Sequence, residues 1–153
     1  MTETTADFAK PRKGQCLCGA VQVSATLRGP CITACHCTQC QRWTGGGPSL
    51  AVQVENLDVI GDEHMTPYFH SSWGERACCN ICGANIYWKM QDKSASHISV
   101  GLLEDQSGLK IAEEIFIDFR PDWLDAVAGA TQSTQAQEMN KLEAYLAQQN
   151  PKQ

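Results

Sequence analysis

The spacing of the cysteines constrains this chain more than any other feature. Nine occur in 153 residues, and seven fall into tight groups: Cys16 and Cys18, then Cys35, Cys37 and Cys40, then Cys79 and Cys82. Cys31 and Cys78 stand close by. In a secreted protein such usage suggests a disulfide framework. Here the number is odd and the separations are one or two residues, a pattern that suits metal ligation in a reducing compartment.

The remaining composition narrows the classes. A chain of this length forms one domain that buries roughly 70 % of its unfolded surface. The opening "MTETTADFAKPRKGQ" has no apolar run behind its charges, so it does not read as a signal peptide. No stretch of about 18 apolar residues occurs, so no membrane span is expected and the protein is placed in the cytoplasm. The net charge is −5, and the basic "KPRK" at 10–13 is a short cluster of the kind that usually sits in a solvated tail. Nucleic-acid binding is therefore not expected.

The chain divides into a flexible tail (1–13), a zinc-binding domain (14–128) and a helical extension (129–153). "AVQVSATL" (20–27) alternates Val21, Val23, Ala25 and Leu27 against polar residues, which predicts a half-buried strand. Strands are also predicted at 49–54, 85–90, 96–101 and 114–119, where β-branched and aromatic residues concentrate. "GGGP" at 45–48 reads as a loop that permits close approach of backbone or ligand. Pro121 predicts a short helix near 121–127. Ser133 is expected to cap a longer one over 133–150, where Ala136, Met139, Leu142, Tyr145 and Leu146 form a stripe. That stripe packs on the domain or meets a second copy in a homodimer. The expected class is mainly β, with helix at the C-terminal end.

Two metal sites follow from the cysteines. In extended backbone, residues two apart face the same way, so Cys16 and Cys18 can address one ion. Cys79 and Cys82 have the spacing of a knuckle turn. Gly19 and Gly83 follow the two pairs, where tight turns can aim N–H groups at sulfur. Four thiolates form a closed, structural site. Cys18 and Cys79 are separated by sixty residues. Closing that loop costs roughly 4 kcal/mol plus a constant, whereas structural zinc contributes on the order of 10–16 kcal/mol. Cys78 rivals Cys79 for the third ligand place; Cys79 is preferred because it precedes Cys82 by a knuckle's interval.

The second group supplies three thiolates. His36 is a poor fourth ligand, because alternation turns it from the face that Cys35 and Cys37 share; it reads as a contact behind the ligands or as packing. Cys31 closing the site would make a second structural zinc. Without it, the site resembles a catalytic zinc with a coordination place left for a guest. Three thiolates weaken Zn²⁺ as a Lewis acid and make it a poor source of hydroxide, but such a soft site suits an incoming sulfur. A free thiol with a pKa near 8.5 is only slightly ionised at neutral pH, and zinc would ionise and hold it.

Gly14-x-Cys16-x-Cys18-Gly19-Ala20-Val21, then Cys35-His36-Cys37-x-x-Cys40, then Cys79-x-x-Cys82-Gly83, resembles the glutathione-dependent formaldehyde-activating enzyme family, which also contains centromere protein V-like domains. The likeness extends to "YFHSS" (68–72), Arg76, "VGLLED" (100–105) and "RPDW" (120–123), and covers about residues 14–127. It implies a zinc-stabilised β-tent of short antiparallel sheets. It also implies a carbon–sulfur lyase that forms or cleaves the S-hydroxymethyl adduct of glutathione with formaldehyde or a related aldehyde. By position, Cys16, Cys18, Cys79 and Cys82 hold the structural zinc and Cys35, Cys37 and Cys40 the catalytic one. Cys78 stands where the family generally has phenylalanine. Arg42 is the candidate partner for a substrate carboxylate, though an exposed surface charge is its ordinary reading, and Trp43 and Thr44 are candidate pocket walls. Trp73, Trp88 and Trp123 are read as core. The rival reading is a non-catalytic zinc module. A methionine sulfoxide reductase is discounted, since no cysteine follows Cys82.

Overall fold

A computed structural model describes residues 7–149 of the chain. Part of the expected N-terminal tail (1–6) and the last residue of the expected C-terminal helix, Asn150, lie outside the described residues. The chain divides into two units, each assembled from separated stretches: residues 1–32 with 50–110, and residues 33–49 with 111–153.

The first unit is a sheet. Its strands are β1 (Arg12–Gln15), β2 (Gln22–Cys35, which runs on into the second unit), β3 (Ser49–Ile60), β4 (Met65–Tyr68), β5 (Gly74–Cys79), β6 (Asn85–Met90) and β7 (Ser96–Ser99). They lie in the order β4-β5-β6-β7-β3-β2, with β1 on β2. The pairs β1·β2, β3·β7, β4·β5, β5·β6 and β6·β7 are antiparallel. The alternation read at 20–27 decides which face of β2 is inside. Val21, Val23, Ala25 and Leu27 are buried and pack with Val52, Val54, Ile86, Tyr87, Ile98, Leu102 and Leu103, while Gln22 is exposed. Burying each such aliphatic side chain stabilises by about 1.5–3 kcal/mol.

Part of the basic cluster is folded in. Arg12 is buried in β1, and its Nη1 donates to the carbonyls of Asp105 (3.1 Å) and Ser107 (2.9 Å). Its guanidinium also lies 4.9 Å from the Phe8 ring centroid. Fixed carbonyls and an aromatic face offset the cost of removing that charge from water.

The second unit contains the end of β2 (Thr33–Cys35), α1 (Thr38–Thr44), nearly all of β8 (Lys110–Ile115), β9 (Thr131–Ser133) and α2 (Gln135–Gln149). β8 and β9 pair in parallel. The strand expected over 114–119 stops at Ile115. Phe116 takes a left-handed conformation (φ 56°), and a 3-10 turn follows at Ile117–Phe119. The expected helix at 121–127 is a single turn, with the Leu124 N–H bonded to the Pro121 carbonyl at 3.0 Å. It does not propagate because the Val127 N–H bonds to the Glu114 carboxylate at 3.1 Å instead of to a helical carbonyl. Trp123, read as core, is 73 % exposed beside that turn, whereas Trp73 and Trp88 are partly buried and pack edge to face.

The cap of α2 is Thr134 rather than Ser133. The Thr134 Oγ1 accepts the Gln137 N–H (3.3 Å) and the Gln137 Oε1 accepts the Thr134 N–H (2.8 Å), a reciprocal capping box. Ser133 ends β9 and donates to Glu138 Oε1 at 2.6 Å. No described residue of α2 is buried, so the apolar stripe stays largely at the surface of the single chain, with Leu142 and Tyr145 half-covered.

Gly61 has φ 85°, and a Cβ there would collide with the carbonyl oxygen of Ala20. We expect Gly61→Ala to lower stability by roughly 2–4 kcal/mol, from left-handed strain plus overpacking. Denaturant unfolding of the metal-loaded protein measures it.

Candidate metal centres

Two turns of similar construction build the first cluster. Cys16 N–H bonds to the Val21 carbonyl and Cys79 N–H to the Ala84 carbonyl, both at 2.9 Å. Inside these loops Gly19 N–H reaches the Cys16 carbonyl (3.1 Å) and Gly83 N–H the Cys79 carbonyl (2.9 Å). Both glycines have positive φ, 81° and 78°, which a side chain would strain. The chain thus reverses twice around one point, and sulfurs line its inner side. Backbone N–H groups of Val21 and Ile81 donate to Cys16 Sγ (3.3 Å) and Cys79 Sγ (3.4 Å).

The sulfurs of Cys16, Cys18, Cys79 and Cys82 all lie within 4.8 Å of one another. Cys16 and Cys18 are 3.6 Å apart, Cys18 and Cys79 3.8 Å. Zinc bound tetrahedrally at about 2.3 Å would place sulfurs roughly 3.8 Å apart, so this spacing fits such an ion. Proton sharing in the cluster is uneven. The Ala84 N–H lowers the Cys82 thiol to about 6, against a smaller desolvation effect. Cys18 is raised to about 11, since crowding by the other thiols and desolvation outweigh the help of the Ala20 N–H. A cation removes that conflict by letting all four ionise.

At the end of β5 it is Cys79, not Cys78, that joins this cluster. β5 pairs regularly with β6 up to Ala77, and then the register shifts between Ala77 and Cys78. Ala77 and Cys79 are buried while Cys78 is half-exposed, and only Cys79 brings its sulfur into the cluster. Arg76 and Ala77 are both buried, and alternation counted from Ala77 sends Cys79 inward.

The second cluster lies where β2 gives way to α1. Cys35, Cys37 and Cys40 bring their sulfurs within 4.8 Å of one another, and Cys40 is buried. Cys37 caps α1, its Sγ accepting the Cys40 N–H at 3.3 Å. No other Cys, His, Asp or Glu among the described residues joins this group. Cys31 points its thiol at the Ile32 carbonyl, 3.7 Å away, and belongs to neither cluster. The thiols of Cys35 and Cys37 are held above the ordinary range. For Cys35 the causes are hydrogen bonds to Cys37 and Cys40 and burial. For Cys37, Cys40 and burial outweigh a lowering contact with Cys35. Three such sulfurs cannot all ionise without a cation, so this donor set too fits a thiophilic metal.

The residues after Cys40 have distinct placements. Arg42 is exposed in the last turn of α1 and Trp43 is half-buried. The Thr44 hydroxyl donates to the Cys40 carbonyl at 2.9 Å and so closes the helix end. Gly45, Gly46 and Gly47 all have positive φ, in keeping with the loop read there.

Sequence reasoning missed Glu114. His36 does point away from the sulfurs, and it meets this carboxylate: His36 Nε2 and Glu114 Oε1 are 2.9 Å apart, both side chains 1 % exposed. Burial opposes the charge on Glu114, but His36, the Val127 N–H and the Gln132 amide hold its pKa below the ordinary value. The only hint in sequence was an acidic residue in a strand-like run.

The family model described as glutathione-dependent formaldehyde-activating enzyme matches residues 11–118. A Schizosaccharomyces pombe protein named an uncharacterized lyase is 29 % identical over 115 residues, 74 % of this chain and 83 % of its own. A crystal structure of a Rhodobacter sphaeroides protein is similar at 25 % identity with a TM-score of 0.53, covering 60 % of this chain and 87 % of the other.

If both clusters hold zinc, elemental analysis should find two ions per chain. Cys37→Ser should bring this to one while near-UV circular dichroism persists. Cys79→Ser should abolish the cooperative unfolding transition, because it opens the cross-link between distant segments.

Proposed function

The chain belongs to the glutathione-dependent formaldehyde-activating enzyme family, and we propose that it is a zinc-dependent carbon–sulfur lyase acting on the S-hydroxymethyl adduct of glutathione or a similar thiol. One observation carries the reading: the first cluster has four sulfurs and the second has three, with no fourth described protein ligand. A saturated site is a staple, whereas a three-sulfur site can accept the sulfur of a substrate. The relative named a lyase supports the same reaction class.

In this reading Cys16, Cys18, Cys79 and Cys82 hold the structural zinc and Cys35, Cys37 and Cys40 hold the catalytic one. Zinc there would supply ionisation of the guest thiol and a fixed place for its sulfur. In the forward direction the sulfur bonds to the carbonyl carbon of formaldehyde, and the proton lost from the thiol ends on the new hydroxyl oxygen. The reverse breaks that carbon–sulfur bond and regenerates thiol and aldehyde. The chain's contribution is mainly positional.

Arg42, two residues after Cys40, is exposed and would receive a glutathione carboxylate. Trp43 would form one wall, and the Gly45–Gly47 loop lets the peptide approach the backbone closely. Thr44 contributes through the helix end that its hydroxyl closes. The ligand thiolates need a reducing compartment, so we place the protein in the cytoplasm. The net charge of −5 argues against nucleic acid as a partner. No described helix is long and apolar enough to cross a membrane.

Zinc X-ray absorption tests the central claim. Millimolar glutathione should raise the mean number of sulfur neighbours per zinc, and an unchanged spectrum would leave only the structural zinc module. Arg42→Ala should raise KM for glutathione about fivefold with little change in kcat, the effect of roughly 1 kcal/mol for an exposed charged contact.

A further inference from the structure

Residue 36 sits between two sulfurs of the three-cysteine cluster, and the chain grips it at three points. Its N–H donates to the Ile115 carbonyl at 3.0 Å. Its carbonyl accepts the Gln41 side-chain amide at 2.8 Å. Its imidazole Nε2 meets Glu114 Oε1 at 2.9 Å. Two of these anchors come from neighbouring residues at the end of β8. The Gln41 amide also donates to the Phe119 carbonyl at 2.9 Å, which ties the start of α1 to the turn after that strand.

Glu114 is itself held from the other side. Oε2 accepts the Val127 N–H at 3.1 Å and the Gln132 amide at 3.4 Å, and Arg120 Nη1 lies 3.9 Å away. The Val127 N–H, the Gln132 amide and the Arg120 guanidinium all offer protons, which favours an ionised carboxylate and hence a proton on His36 Nε2 toward it. With backbone and side chain both immobilised at residue 36, Cys35 and Cys37 have little freedom, because alternation sends their side chains opposite to the imidazole.

We propose that Glu114 is a positioning residue for the three-cysteine metal site, acting through His36 to set the direction of Cys35 and Cys37. A closed four-sulfur shell can organise itself around its ion. A three-sulfur shell lacks one of those constraints and depends more on surrounding hydrogen bonds for its shape. Among the described residues the first cluster's ligands meet no such buried carboxylate–imidazole pair; turn N–H groups reach its sulfurs instead. The inference rests on the reading that Cys35, Cys37 and Cys40 hold a metal.

The test compares wild type, Glu114→Gln and His36→Gln as purified full-length chains. Zinc affinity is measured by chelator competition, and ligand-field bands are recorded after cobalt substitution. In Glu114→Gln one oxygen becomes an NH₂ that must face donors, on either the His36 or the Val127 side. We expect the three-cysteine site to bind zinc about 10–100-fold more weakly, with altered cobalt bands, while the four-cysteine site keeps its affinity and spectrum. His36→Gln, whose amide still donates to the carboxylate, should weaken that site about tenfold or less. Equal affinity and unchanged bands in a folded Glu114→Gln chain would overturn the proposal, as would equal losses at both sites, the mark of general destabilisation. Should Glu114→Gln not fold, His36→Gln decides by the same readouts: weakening confined to the three-cysteine site upholds the proposal, and an unchanged site overturns it. A wild-type chain that binds only one ion would instead refute the metal reading of the second cluster.

Discussion

Thiols this crowded cannot all lose their protons unless a cation sits among them. That constraint governs both ends of the chemistry in this protein. In the first cluster, two reversals of the chain about sixty residues apart put four sulfurs within 4.8 Å. The hydrophobic face of β2 and its partners brings the strands together, but it cannot by itself explain why four ionisable groups are packed at one point. A shared ion would explain it, turning a costly arrangement into a cross-link between distant parts of the sheet.

The clusters differ in what steers the sulfurs. At the first, glycines with positive φ let each turn close tightly, and Val21 and Ile81 aim N–H groups at sulfur. At the second, one cysteine belongs to a strand, one caps a helix and one lies on its first turn. A strand-to-helix transition is a poor place for rigidity unless something outside it holds the backbone. The buried pair of His36 and Glu114 has that position, and Glu114 in turn gathers the segment carrying Arg120, Val127 and Gln132. The carboxylate is buried against its ordinary preference, and the protons these three residues offer favour its charged form.

Much of this could be read from the chain alone, and the reasons are local. The alternation of Val21, Val23, Ala25 and Leu27 has a period that only a strand satisfies, and Val23, Ala25 and Leu27 form the inner face of β2, with Val21 buried just before it. Cys-x-Cys and Cys-x-x-Cys spacings are short enough that backbone geometry alone directs the sulfurs together. The expectations that failed depended on distant partners. Pro121 can begin a helix, yet Glu114, on a different element, takes the Val127 N–H. Ser133 can cap one, yet β9 uses it and Thr134 caps instead.

The sequence by itself determined how many sulfurs were available, which of them could share an ion and which strand faces point inward, because these follow from spacing and period along a single segment. Only the tertiary structure decided that Cys31 joins neither cluster and that His36 has a buried carboxylate as its partner. The imidazole and its carboxylate are nearly eighty positions apart, and no local rule in one segment specifies its pairing with another.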